Sequence, residues 1–122
     1  MSFARWAYRI AGIYGLLCLT PMLFLEGRIS PAITHPDHYY GFVGVALAWQ
    51  VAFLIIASDP VRYRPLMIAT LVEKAIFGVA TIVLFAQQRI PGPVLGFGIT
   101  DLVLGTLFLI SYLRTPVSPA RA

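Results

Sequence analysis

The stretch His38-Tyr39-Tyr40-Gly41-Phe42-Val43-Gly44-Val45-Ala46-Leu47-Ala48-Trp49-Gln50-Val51-Ala52-Phe53-Leu54-Ile55-Ile56-Ala57-Ser58 runs for 21 residues without an Asp, Glu, Lys or Arg. An α-helix rises ~1.5 Å per residue, so a run of this length reaches across the ~30 Å hydrocarbon core of a bilayer. It is apolar on every side, which suits lipid better than a half-solvated surface. Three further apolar runs, less free of charge, lie to either side. The spans are read over about 6–25, 40–58, 66–87 and 94–113, with an outer loop at 26–39. The chain is therefore expected to be all-α, an integral membrane four-helix bundle forming one transmembrane domain over 1–122.

Composition agrees. The chain has 122 residues, of which 59% are hydrophobic and 11% charged, with a mean hydropathy of +0.83. Soluble domains carry roughly 25% charged residues, which they need to cover their surface. These figures exclude a soluble enzyme domain, a disordered chain and a nucleic-acid binder, despite a net charge of +4. Cys18, the single cysteine, sits in an apolar segment and reads as a small buried hydrophobe.

Within the first span, Ile10 to Leu25 resembles a signal-peptide core preceded by Arg5 and Arg9. The sequence Glu26-Gly27-Arg28-Ile29-Ser30-Pro31 offers no small-x-small cleavage site, so the segment is expected to be retained. Pro21 is expected to kink its outer end. Gly12 and Gly15 offer a flat face for a neighbouring helix, as does the stripe Gly44, Ala48 and Ala52 in the second span. Gly96, Gly98 and Gly105 do the same in the fourth. No internal repeat or heptad array is visible. The turns Asp59-Pro60-Val61-Arg62-Tyr63-Arg64-Pro65 and Arg89-Ile90-Pro91-Gly92-Pro93 are short and stiff.

Four spans place both termini and the 59–65 turn on one side. That side carries Arg5, Arg9, Arg62, Arg64, Arg114 and Arg121, against Arg28 and Arg89 on the other. Positive residues mark the cytoplasmic face, so both termini are expected in the cytoplasm and the 26–39 loop outside, in a cell inner membrane. Trp6, Tyr8, Tyr39, Tyr40, Tyr63 and Tyr112 fall near span ends, where an aromatic belt is expected.

Three charges interrupt the spans: Glu73, Lys74 and Asp101. Each costs ~2.5–3.5 kcal/mol on insertion scales if left alone at the bilayer centre. Counted from the cytoplasmic face at ~1.5 Å per residue, Lys74 and Gln50 lie ~12 Å deep and Asp101 ~18 Å. A lysine stem bridges that difference, so Lys74 and Asp101 are expected to pair. Glu73 and Lys74 are about 100° apart around the helix and do not face each other. Glu73 is thus expected to find another partner, Arg9 or Gln50. With Tyr14, these residues predict a polar layer of Arg9, Tyr14, Gln50, Glu73, Lys74 and Asp101. Such a layer either fixes helix register or lines a site for a ligand, ion or proton.

His35, Asp37 and His38 in the outer loop are weak candidates for a metal site, with Glu26 as a more remote donor. Their spacing matches no closed metal motif, and the alternative is an interfacial cap on the second span, with Asp37 at its N-terminus. There is no phosphate loop, cysteine pair or Ser-His-Asp arrangement, and no cofactor is expected.

The residues Tyr40 to Gln50, Asp59 to Pro65 and the pair Glu73-Lys74 resemble segments of small uncharacterised bacterial inner-membrane proteins with four spans. The size and span count are also similar to DoxX-like proteins and to four-span families of the EXPERA kind. The His/Glu/Glu pattern of the EXPERA isomerases is not recognisable, so that activity is not carried over. Small multidrug exporters share the span count but need a glutamate within the first span. Here that span carries Arg9 and, only at its outer end, Glu26. Three readings follow: a membrane scaffold or accessory subunit, which the short loops and small-residue stripes favour; a carrier or binding protein for a small lipophilic or ionic ligand; and an intramembrane lipid-modifying enzyme. The expected partners are membrane lipids and either a second copy or another membrane protein.

Overall fold

The computed structural model describes residues 2–29 and 32–117, and among them it is helical with no strand. Arg121, counted above for orientation, lies outside the described residues, as do Ser30, Pro31 and Pro119. The four long helices are α1 (Phe3–Leu19), α2 (Pro36–Ser58), α3 (Leu66–Ala86) and α4 (Gly92–Arg114). Each is long and apolar enough to cross a membrane, α1 when the turn that extends it to Phe24 is included. The chain is a multi-pass membrane protein by this architecture.

Local chemistry sets the helix ends. Ser2 caps α1 by accepting the Arg5 backbone N–H at 3.2 Å. Pro21 lacks an N–H and its ring crowds the preceding turn. There α1 tightens into a 3-10 stretch, Thr20–Phe24, rather than kinking and continuing as an α-helix. The second span begins earlier than the sequence indicates, at Pro36, because Pro at a first helical position is preorganised for the turn. Asp37 and His38 therefore belong to the first turn of α2 and not to a free loop. At the other hairpin, Gln88 takes φ 58°, a left-handed cap that lets Arg89 N–H reach Leu84 O at 2.8 Å.

The helices pack as two hairpins. α1 lies along α2 and α3 along α4, and α1 also meets α4. α2 and α3 barely meet, so the ring of helices is sparse on that one seam. Each helix turns one stripe inward, spaced by threes and fours: Ala4, Tyr8, Ala11 and Gly15 on α1; Gln50, Phe53 and Ala57 on α2; Met67, Thr70 and Lys74 on α3; Asp101, Leu104 and Phe108 on α4. This is a repeat that the sequence alone does not reveal.

The half of the bundle nearest the termini is tightly filled. Tyr8 stacks on Phe108 with centroids 4.0 Å apart, and both rings meet the edge of Phe53. Tyr8 is fully buried, and its hydroxyl is 2.7 Å from Thr70 Oγ1. It is therefore a core residue and not part of an interfacial belt, because Thr70 satisfies the one group that would otherwise seek water. Trp6, 53% exposed, fits the belt. Arginines close this end. Arg5 Nη1 donates to Ser58 O, and Arg64 Nε donates to Tyr112 O and Thr115 O, occupying carbonyls at the C-terminal ends of α2 and α4. The Arg64 guanidinium also lies over the Tyr112 ring at 3.9 Å.

Glycines set four close approaches. A Cβ on Gly12 would meet Leu54, one on Gly15 would fall inside the Gln50 side chain, one on Gly78 would fall on Leu102, and one on Gly98 would fall on Thr81. Gly44 behaves otherwise: it faces open space, and with exposed Ala48 it looks away from the bundle. The stripe expected to receive a neighbouring helix is thus on the outside of α2, because the large inward residues Val43, Gln50 and Phe53 lie on the opposite face.

Candidate functional site

Above the packed half, towards the 88–91 connection and the 3-10 stretch after α1, the inward stripes stop meeting. A cavity of about 440 Å³ lies between all four helices. Its floor is polar: Gln50 from α2, Glu73 and Lys74 from α3, and Asp101 from α4. Its walls are mainly apolar, with Leu19, Met22, Phe42, Phe77, Val94 and Phe97 among them. Tyr14, Gly15 and Cys18 supply the α1 side, and Ala46 faces them from α2. The small side chains at 15, 18 and 46 leave the space that Tyr8, Phe53 and Phe108 fill one to two turns below.

Lys74 anchors the floor. Its side chain is 6% exposed, and Nζ donates to Asp101 Oδ1 at 3.2 Å. The expected pair is formed. The same Nζ lies 3.7 Å from Glu73 Oε2 and 5.2 Å from the centre of the Phe53 ring. Here the sequence reading is corrected: Glu73 and Lys74 do approach each other. Lys74 is on the inward stripe and Glu73 borders it, and the flexible stems bring their ends back together although their Cα–Cβ bonds diverge. One ammonium therefore stands between two carboxylates.

Glu73 Oε2 is buried and has no hydrogen-bond partner within reach. The Glu73 side chain as a whole is 23% exposed, towards the cavity it lines. A buried acceptor without a donor costs about 1–3 kcal/mol. Gln50 is held differently. Its Nε2 donates to Ala46 O in its own helix at 2.9 Å, and its side chain lies flat against Gly15. Tyr14 lines the same space from α1.

Of the six residues predicted to form a polar layer, the structure brings together Tyr14, Gln50, Glu73, Lys74 and Asp101 around one space. Arg9 is not in the cavity wall. It follows Tyr8, one residue off the inward stripe of α1, and stays half-buried in the packed half of the bundle. Cys18 is exposed and lines the cavity, so it is not the buried hydrophobe its neighbours imply. The apolar wall is what the sequence reading passes over. Counting back from Gln50 in fours gives Ala46 and Phe42, and counting back from Asp101 by four and then three gives Phe97 and Val94. That spacing is the signal that finds them.

The histidine segment makes no comparable site. His35 and His38 stack at 5.0 Å, His35 Nδ1 bonds the Thr34 hydroxyl, and His38 stands 3.7 Å from Asp37 on an exposed helix end. Among the described residues no three His, Cys, Asp or Glu side chains converge as metal ligands would. Glu26 instead accepts from the Tyr40 hydroxyl at 3.3 Å, while Tyr39 donates to Met22 O at 2.7 Å. Together these contacts tie the stretch after α1 to the start of α2. The chain matches no protein-family model, no curated protein sequence and no solved structure.

Proposed function

We propose that the chain is a membrane-embedded binding or carrier protein that takes a small amphiphile between its helices. The observation that carries this reading is that the charged layer faces a cavity rather than a sealed helix interface. Register-fixing charges need only each other, and a layer used for that alone is best closed off from space. Here an apolar chamber of about 440 Å³ stands directly on the charges. Ligand sites typically enclose roughly 300–1,000 Å³, with mostly apolar walls and a few convergent polar groups. The lipophilic part of a ligand would lie against Phe42, Phe77 and Phe97, with its polar head at Glu73, Lys74 and Asp101. The sparse seam between α2 and α3 is the natural side for entry from lipid.

The orientation belongs to the same proposal: both termini cytoplasmic in a cell inner membrane, which the concentration of arginines at the terminal end supports. The cavity would then open in the outer half of the bilayer. A scaffold role ranks behind binding, since it gives the chamber no purpose. The test is thermal stability in detergent against a panel of single-chain amphiphiles, with Ala46→Trp to fill the chamber. Stabilisation by at least one amphiphile, lost in Ala46→Trp, is expected. No stabilisation, or the same stabilisation in the filled variant, would refute the binding reading.

A further inference from the structure

We propose that the head group bound in this cavity is a protonated amine, so that the ligand is a lipophilic cation seated on Glu73. The inference rests on the binding reading and adds the sign of the ligand's charge. Among the residues lining the chamber, Glu73 and Asp101 carry two negative charges and Lys74 one positive. Asp101 takes the shorter contact with that ammonium, at 3.2 Å against 3.7 Å for Glu73. The lysine is thus committed chiefly to Asp101, and the surplus negative charge falls on Glu73. The Glu73 side chain lines the chamber and is 23% exposed, so the surplus borders that space.

An uncompensated charge at this depth is costly, and the cost falls when an opposite charge enters with hydrogen bonds to offer. A ligand ammonium on Glu73 completes a row of alternating sign: ligand, Glu73, Lys74, Asp101. It also brings a donor to the exposed part of the Glu73 carboxylate, as a charge-assisted bond. The walls favour the same sign. Phe42, Phe77 and Phe97 line the chamber, and ring faces attract cations. Lys74 already uses this attraction against Phe53 at 5.2 Å. A carboxylate or phosphate head would meet two carboxylates with the single nearby cation taken, an arrangement that rejects anions. A neutral alcohol would donate to the carboxylate but leave its charge uncompensated.

Cys18 makes the test direct, since it is the single cysteine and lines the same chamber. The full chain in lipid nanodiscs is labelled at Cys18 with a neutral maleimide in the presence of decylamine, decanol or decanoate. Decylamine is expected to protect Cys18 at concentrations about tenfold lower than decanol, the scale of one charged hydrogen bond, and decanoate not to protect. In Glu73→Gln the advantage of the amine over the alcohol disappears while decanol still protects, which also shows that the variant is folded. A measurement on the unaltered chain stands beside it: a cationic methanethiosulfonate should modify Cys18 faster than an anionic one of similar size. Equal protection by decanol or decanoate, an amine advantage unchanged in Glu73→Gln, or faster modification by the anionic reagent overturns the cationic head group and leaves the cavity reading standing. If none of the three probes protects Cys18, the cavity reading fails and this inference fails with it.

Discussion

The two halves of the bundle are built on the same four inward stripes and reach opposite ends. Near the termini the stripes carry Tyr8, Phe53, Met67 and Phe108, which are fully buried and interlock around a hydroxyl pair. One to two turns away the same stripes carry Gly15, Ala46, Lys74 and Asp101, and the centre opens into a chamber. Helices in lipid gain little from burying apolar surface against one another and associate through packing and polar contacts. The filled half therefore holds the helices together. The open half is free to keep charges that a packed interior would exclude, and Lys74 lies at the boundary, resting on Phe53 below and paired with Asp101 above.

The contrast can be broken from either side. The largest effect is expected in the filled half. Phe108→Ala removes a ring that both Tyr8 and Phe53 contact, and should cost about 3–5 kcal/mol in unfolding by denaturing detergent. Next is the boundary. Lys74→Met strands two buried carboxylates and should cost about 3 kcal/mol. Adding Asp101→Leu should restore most of that loss, because it removes one of the charges left alone. Smaller again is Gly15→Ala, whose Cβ would displace the Gln50 side chain, at about 1–3 kcal/mol. Tyr8→Phe, which removes one buried hydrogen bond, should cost about 1 kcal/mol. Smallest is Ala46→Leu in the open half. It adds bulk to an empty chamber and should change stability by less than about 0.5 kcal/mol, while amphiphile binding weakens. Were Ala46→Leu as damaging as Phe108→Ala, the two halves would not differ in packing.

The spans were legible because composition and run length alone define them. Their ends differ where proline chemistry intervenes: α2 starts four residues early, at Pro36, and α1 gives way to a 3-10 stretch after Leu19, just before Pro21. The pairing of Lys74 with Asp101 was legible because buried charges need partners and depth can be counted. The inward stripes were not. In a soluble helix the polar face reveals the apolar one, but here Val51, Ile55, Ile76 and Val103 face lipid and are as apolar as the core. Tyr8 was misplaced for a related reason. A tyrosine near a span end suits either an interface or a core that offers its hydroxyl a partner, and Thr70 lies 62 positions away in the chain. The cavity was illegible because it arises from what Gly15, Cys18 and Ala46 leave unfilled, and absence of bulk has no sequence signal of its own.

The central claim is that the charged floor is capped by an accessible chamber and not by protein. It is tested most directly by the rate at which a small water-soluble thiol reagent modifies Cys18 in the bilayer-embedded chain, with and without Ala46→Trp. Rapid modification, slowed at least about tenfold by the tryptophan that fills the chamber, is the predicted result. A Cys18 that resists modification, or one that reacts at the same rate in both proteins, would contradict the account.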